Sequence, residues 1–149
     1  MTPQQIALVQ SSWQQVLPIR FTAADLFYAR LFEVAPEVRT LFRRDVHAQG
    51  AMLMAMLDAV VTGLSQLGEL LPTAQALARR HVSYGVRPAH YDSVGVALLW
   101  TLEQGLGPAF SAELRTAWTV AYGVLADAMK QAAYGSDPVP LPPQAEPIP

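Results

Sequence analysis

Three polar side chains occupy positions where a helical apolar stripe would otherwise carry hydrocarbon. His81, in RRHVSYGVRPAHY (79–91), follows Leu77 by one helical turn, so its imidazole points the way the core-facing residues point. Gln49 precedes Leu53 by four residues and Leu57 by eight, which sets it at the inner edge of a long apolar helix, and Tyr28 sits between Phe27 and Leu31, again turned inward. A buried polar group must be satisfied or put to use. The residues alone leave plainer readings open. One histidine with no second three or four residues away is not a metal signature. Gln49 could face water, and the Tyr28 hydroxyl could reach solvent. His47 and His90 read most simply as surface residues near helix starts. The sequence has no phosphate-cradling glycine loop, no G-x-S-x-G, no H-E-x-x-H and no calcium loop. Glu69, Glu103, Glu113 and Asp127 lie in different segments, with nothing to pair them for acid–base work.

The elements that must position these groups are helical almost throughout. Ile6, Val9, Trp13 and Val16 make one stripe, and Ala24, Phe27, Leu31 and Phe32 a second. Thr2, Pro3 and Gln5 predict a capped start for the first helix, which Pro18 closes. Pro36 opens a short piece ending at Leu41 and Phe42, and Asp45 can cap the long helix carrying Leu53, Met56, Leu57, Val60 and Leu64. Pro72 and Thr73 introduce a shorter helix holding Leu77 and His81, ended by Gly85 and Pro88. A helix over about 89–106 presents Tyr91, Val94, Leu98 and Leu102; Gly107 and Pro108 close it, and Ser111 caps the last, with Leu114, Trp118, Ala121, Leu125 and Met129. The spacing predicts seven or eight helices of unequal length, too irregularly joined for a symmetric bundle, with room for an apolar ligand.

Composition narrows the function. The 149 residues are 52% hydrophobic and 15% charged with net charge −2, and no basic stripe is visible, which argues against nucleic-acid binding. The absence of cysteine excludes disulfides, thiolate metal sites and a cysteine nucleophile. No uninterrupted apolar run of ~18 residues and no signal-like start predict a cytoplasmic protein without a membrane partner. Six of the twelve prolines fall in the last dozen residues, so 1–134 is the expected folded domain and 135–149 an extended, disordered proline-rich tail.

Taken in order, SSW (11–13), LFYARLFEVAPEVRTLF (26–42), RRHVSYGV (79–86), HYDSVGVALL (90–99), LGPAF (106–110) and AWTVAYGVLADAM (117–129) resemble the globin family. The likeness is to bacterial single-domain globins related to flavohaemoglobin haem domains and neuroglobin, and it spans nearly the whole folded unit. It implies an all-α globin fold of the 3-over-3 type around haem b (iron protoporphyrin IX). His81 then matches the proximal histidine that binds the iron, its other ring nitrogen held by the carbonyl of Leu77. Phe42 matches the phenylalanine packed on the porphyrin, and Leu53, Leu57, Val86, Val94 and Leu98 the apolar walls. On the distal side the resemblance puts Tyr28 and Gln49 at the positions that donate hydrogen bonds to the ligand. The alternative of His47 as a sixth iron ligand stays open, although two residues along a helix turn a side chain by about 200°. Otherwise His47, with Arg44, Arg80 or Arg87, would meet the haem propionates.

Tyr91 matches a tyrosine that in flavohaemoglobins pairs with a glutamate near the proximal histidine; the glutamate position falls on Ala133. Only the proline-rich tail is expected after residue 134, with no reductase domain read in it. The resemblance thus implies reversible, high-affinity binding of dioxygen, and of CO and NO, for storage, transport or scavenging. Nitric oxide dioxygenation with an external reductase, or a six-coordinate redox or sensor role, are the alternatives.

Overall fold

The computed structural model describes residues 1–41, 46–83 and 85–134. The roles expected of Phe42, Arg44, Asp45 and the tail 135–149 lie outside the described residues. Within them run six α-helices: α1 (Pro3–Val16), α2 (Arg20–Val34), α3 (Val46–Thr62), α4 (Leu67–Ser83), α5 (Pro88–Leu106) and α6 (Ala112–Tyr134). Short 3-10 helices occupy Leu17–Ile19, Pro36–Leu41, Gly63–Gln66 and Gly107–Ala109. The expected seven or eight helices thus resolve into six α-helices and four tight corners. Three of these corners carry a proline near their start, where its fixed φ suits a turn and its missing N–H costs nothing.

The caps are those the sequence predicts. Thr2 Oγ1 accepts from the Gln5 N–H at 3.1 Å while Gln5 Oε1 accepts from the Thr2 N–H at 3.0 Å, a reciprocal capping box. Ser111 Oγ accepts from the Leu114 N–H at 3.1 Å at the head of α6. Two boundaries differ. The long helix α3 ends at Thr62, so Leu64 lies in the 3-10 helix Gly63–Gln66 and not on α3. Pro72 does not start α4; it lies inside it, because Leu67–Leu71 already form helix and place Leu70 against Gly63. Within the second turn a proline forfeits a single backbone bond, which tertiary packing outweighs here.

α2 packs on α3 and α5, α4 on α6, and α1 across α6. The apolar side chains fall into two bodies. The larger surrounds Val9, Trp13, Phe27, Leu31, Leu102 and Trp118, and a smaller one gathers Ala74, Ala78, Tyr91, Ala126 and Met129 between α4, α5 and α6. Trp13 and Trp118 meet at 6.2 Å between ring centroids. Trp13 Nε1 donates to Asp58 Oδ1 at 2.8 Å, and Trp118 Nε1 donates to Ser12 Oγ at 2.9 Å. These bonds tie α1 to α3 and α6 while satisfying both indoles. The stretch His47–Gln66 is long and apolar enough by length and composition to cross a bilayer, with mean hydropathy 1.3, although Asp58 interrupts it; Met54, Val61 and Leu64 from this stretch lie in the larger cluster.

Ser12→Ala should therefore leave the Trp118 indole buried without an acceptor. Urea denaturation of the purified protein is expected to show a loss of about 1–3 kcal/mol with an unchanged m value.

Candidate functional site

α4 presents Ala74, Leu77 and Ala78 inward and carries His81 in its last turn. The His81 Nδ1 lies 2.9 Å from the Leu77 carbonyl, the contact expected from the sequence. A carbonyl can only accept, so Nδ1 holds the hydrogen and the lone pair stays on Nε2. Burial lowers the ring's pKa below the usual histidine value; the Leu77 bond opposes this shift and the Arg80 charge adds to it. A neutral imidazole with Nδ1 anchored on a carbonyl is the form that ligates a metal through Nε2.

The helix ends at Ser83, five residues before Pro88 opens α5, in a defined hydrogen-bond pattern. The Gly85 N–H donates to the Val82 carbonyl and the Val86 N–H to the His81 carbonyl, both at 3.0 Å, with Gly85 at φ 94°. This is the paired closure that a glycine in the left-handed region permits, and a methyl group there would also meet Leu41 Cδ2 at 3.1 Å. The segment that follows is tied down at each step. Tyr134 Oη donates to the Val86 carbonyl, and the Arg87 N–H donates to His90 Nδ1 at 3.0 Å. His90, expected at the surface, is buried, with Nε2 3.7 Å from Glu37 Oε2. The reason is positional: as the third residue of α5 it reaches back to the otherwise orphaned amide before the helix.

α2 and α3 cross at Gly50. A Cβ there would stand 2.9 Å from Ala24 Cβ and 3.8 Å from Tyr28 Cε2, so only glycine lets the two backbones come this close. Tyr28 is 5% exposed, edge-on to Phe27 at 5.1 Å and stacked with Phe32 at 5.9 Å. Burial pushes its phenol pKa up, which keeps the hydroxyl protonated and able to donate. Gln49 is half-buried immediately before the crossing. His47 turns outward, its side chain 78% exposed and Nδ1 3.3 Å from Asp25 Oδ1.

The predicted apolar walls divide between the two clusters. Leu53, Leu57 and Val94 are half-buried against the larger one, of which Leu98 is part; Leu77 and Val86 are half-buried against the smaller, of which Tyr91 is part. Arg80 and Arg87 are exposed. Sequence reasoning missed Tyr122 and Tyr134. Tyr122 Oη donates to the Tyr91 carbonyl, and its ring lies against Gly95. Both phenols hold backbone 31 and 48 residues away, a separation at which no local spacing carries a signal. Two shallow surface hollows, one along Gln10, Gln14 and Val61 and one along Leu71, Val124 and Tyr134, include neither His81 nor Tyr28 nor Gln49.

A family profile for globins matches residues 25–129. The chain belongs to the globin family. It is 34% identical to the flavohemoprotein of Bacillus subtilis over 110 residues, covering 72% of this chain and 28% of that protein. With the flavohemoprotein of Bordetella parapertussis the identity is 39% over 104 residues, 68% of this chain and 26% of that protein. This globin thus spans about a quarter of the length of the curated relatives it matches. Among solved structures it is similar to an engineered carbene transferase whose Rhodothermus marinus parent is described as a nitric oxide dioxygenase. That likeness has TM-score 0.78 and 26% identity, and it covers 87% of this chain and 90% of the other.

A globin fold implies a haem, and the residues present fit one. His81 has the tautomer a ligand needs, half-buried aliphatic side chains stand on both clusters, and the buried phenol of Tyr28 belongs to the larger one. Because folding lowers the His81 pKa, the unfolded chain takes up its proton first as pH falls. In the haem-free protein, stability should fall as pH drops through the ordinary histidine value of about 6.5, and His81→Gln should flatten that slope in thermal melts recorded against pH.

Proposed function

We propose that residues 1–134 of this globin hold haem b through His81 and bind dioxygen reversibly, with Tyr28 and Gln49 donating hydrogen bonds to the ligand. The haem, when bound, supplies a ferrous iron able to take dioxygen, carbon monoxide or nitric oxide. The observation that carries the reading is the His81–Leu77 bond, in which Nδ1 donates to the carbonyl one turn earlier, as a metal-ligating histidine would need. Tyr28 supports the other half, since a protonated phenol that is 5% exposed can offer its hydrogen where water competes little. Leu53, Leu57, Leu77, Val86, Val94 and Leu98 exclude water from the site, which strengthens each polar contact within it and slows oxidation of the iron. A hydrogen bond to a ligand carrying partial negative charge contributes about 1–2 kcal/mol, so two amount to roughly ten- to a hundredfold in affinity.

Nitric oxide dioxygenation is a second reading, favoured by the names of the similar proteins. One nitric oxide, one dioxygen and one electron give one nitrate, and a separate NADH-dependent reductase would supply the electron. A six-coordinate iron with His47 as ligand is disfavoured, because that imidazole is exposed and lies beside Asp25.

His81→Ala is expected to abolish stable haem retention, read from the haem absorbance per mole of purified protein; unchanged stoichiometry would remove His81 from the iron. Tyr28→Phe combined with Gln49→Leu should raise the dioxygen off-rate at least about tenfold in stopped-flow measurements. The deoxygenated ferrous protein should show one broad visible band, and His47→Ala should leave it unchanged; split sharp bands would mean a sixth protein ligand. Continued NADH-driven nitric oxide turnover with a reductase, rather than stoichiometric consumption, would favour the enzyme.

A further inference from the structure

The 3-10 helix Pro36–Leu41, between α2 and α3, meets the corner between α4 and α5 at two points four residues apart. Leu41 Cδ2 stands 3.1 Å from where a Cβ on Gly85 would be, and Glu37 Oε2 stands 3.7 Å from His90 Nε2. His90 is aimed by its cap. A backbone N–H can only donate, so the Arg87 N–H takes the Nδ1 lone pair at 3.0 Å and leaves the hydrogen of the neutral ring on Nε2, facing the carboxylate. At 3.7 Å the contact is an attraction between a charge and an N–H rather than a direct hydrogen bond. The imidazole is 11% exposed and the carboxylate 65%, so the ring reaches out from the interior to a charge at the surface.

Both ends of this contact are firmly mounted. On the Glu37 side, Val38 is buried in the larger apolar cluster, Thr40 Oγ1 donates to the Glu37 carbonyl at 2.8 Å, and the Arg39 guanidinium lies over the Phe32 ring at 5.0 Å. On the His90 side, Tyr91 is part of the smaller cluster and Val86 packs on it. The contact therefore ties the two apolar clusters to each other. The larger one includes Tyr28 and has Leu53 and Leu57 packed against it; the smaller has Leu77, whose carbonyl holds His81.

We propose that His90 is a positioning residue that ties the connection before α3 to the corner after His81, so that the two segments open together and the tie limits how readily haem enters and leaves. This rests on the reading of His81 as the haem ligand with Tyr28 and Gln49 across from it, under which the bound group lies between the two clusters. His90 acts on the haem only through this tie. Its cap on Arg87 fixes the ring, and Glu37 supplies the charge that the ring holds.

The test separates the cap from the tie. His90→Glu keeps an acceptor at the third position of α5, the residue type a capping box ordinarily uses, but sets two carboxylates opposite each other. In the purified full-length protein, backbone hydrogen exchange should speed up over both 36–41 and 85–90. Transfer of haem to an excess of a haem-scavenging apoglobin should be faster by roughly two- to fivefold. Adding Glu37→Lys to His90→Glu should slow both again, whereas Glu37→Lys alone should speed both. This reversal of sign is one that a merely structural role for His90 would not produce. Should His90→Glu not fold, Glu37→Gln alters only an exposed side chain and is expected to speed exchange in both segments, and haem transfer, by about twofold. Exchange that changes in 36–41 alone, no recovery on adding Glu37→Lys, or haem transfer indifferent to every Glu37 variant overturns the proposal. Failure of the wild-type chain to take up haem would instead sink the reading of His81, and the exchange measurements would still decide whether the two segments open together.

Discussion

The hydrogen bond between the His81 ring and the Leu77 carbonyl decides which nitrogen of the imidazole carries the proton, and the chemistry of the site follows from that choice. The bond depends on α4 keeping its helical pitch up to His81 and stopping soon after. The pitch places residues four apart on one face, and the stop comes from the Gly85 closure, in which the carbonyl of His81 itself is used by Val86. Val86 and Arg87 are then pinned by groups from two other helices, Tyr134 of α6 and His90 of α5. A side chain held in this way has little orientational freedom left to lose, which is what a shell of supporting hydrogen bonds contributes at metal sites.

The crossing of α2, which carries Tyr28, and α3, which carries Gln49, rests on a different constraint, the absence of a side chain. Gly50 brings α3 against Ala24 and the ring of Tyr28, so the helix carrying Gln49, Leu53 and Leu57 is set by a contact between backbones. Tyr28 is then enclosed by Phe27 and Phe32, and its hydroxyl remains a proton donor because its environment penalises the phenolate. The end of α4 is therefore ordered by directed hydrogen bonds and the α2–α3 crossing by close packing.

Much of this was legible in the chain. The capping box at Thr2 and Gln5, the Ser111 cap and the proline corners involve partners three or four residues apart, and at that range residue type and spacing carry the geometry. His81 and Leu77 are legible for the same reason. The start of α4 differs from the expectation because proline is a strong local signal, whereas the helix already begins at Leu67 and sets Leu70 against Gly63 of the preceding corner. His90 was misread as surface for a related reason: its capping partner is local, but its burial against the segment carrying Glu37 is set by how the helices stack.

What the sequence determined by itself is the set of helices, their caps and the register that turns His81, Tyr28 and Gln49 inward, because each follows from interactions within one or two turns. Only the tertiary structure decided that Tyr134 and Tyr122 hold the segments around His81 and Tyr91, and that His47 faces away towards Asp25. These depend on which side chains meet across 22 to 48 residues of chain. Such meetings are fixed by the packing of whole helices, so no local pattern encodes them.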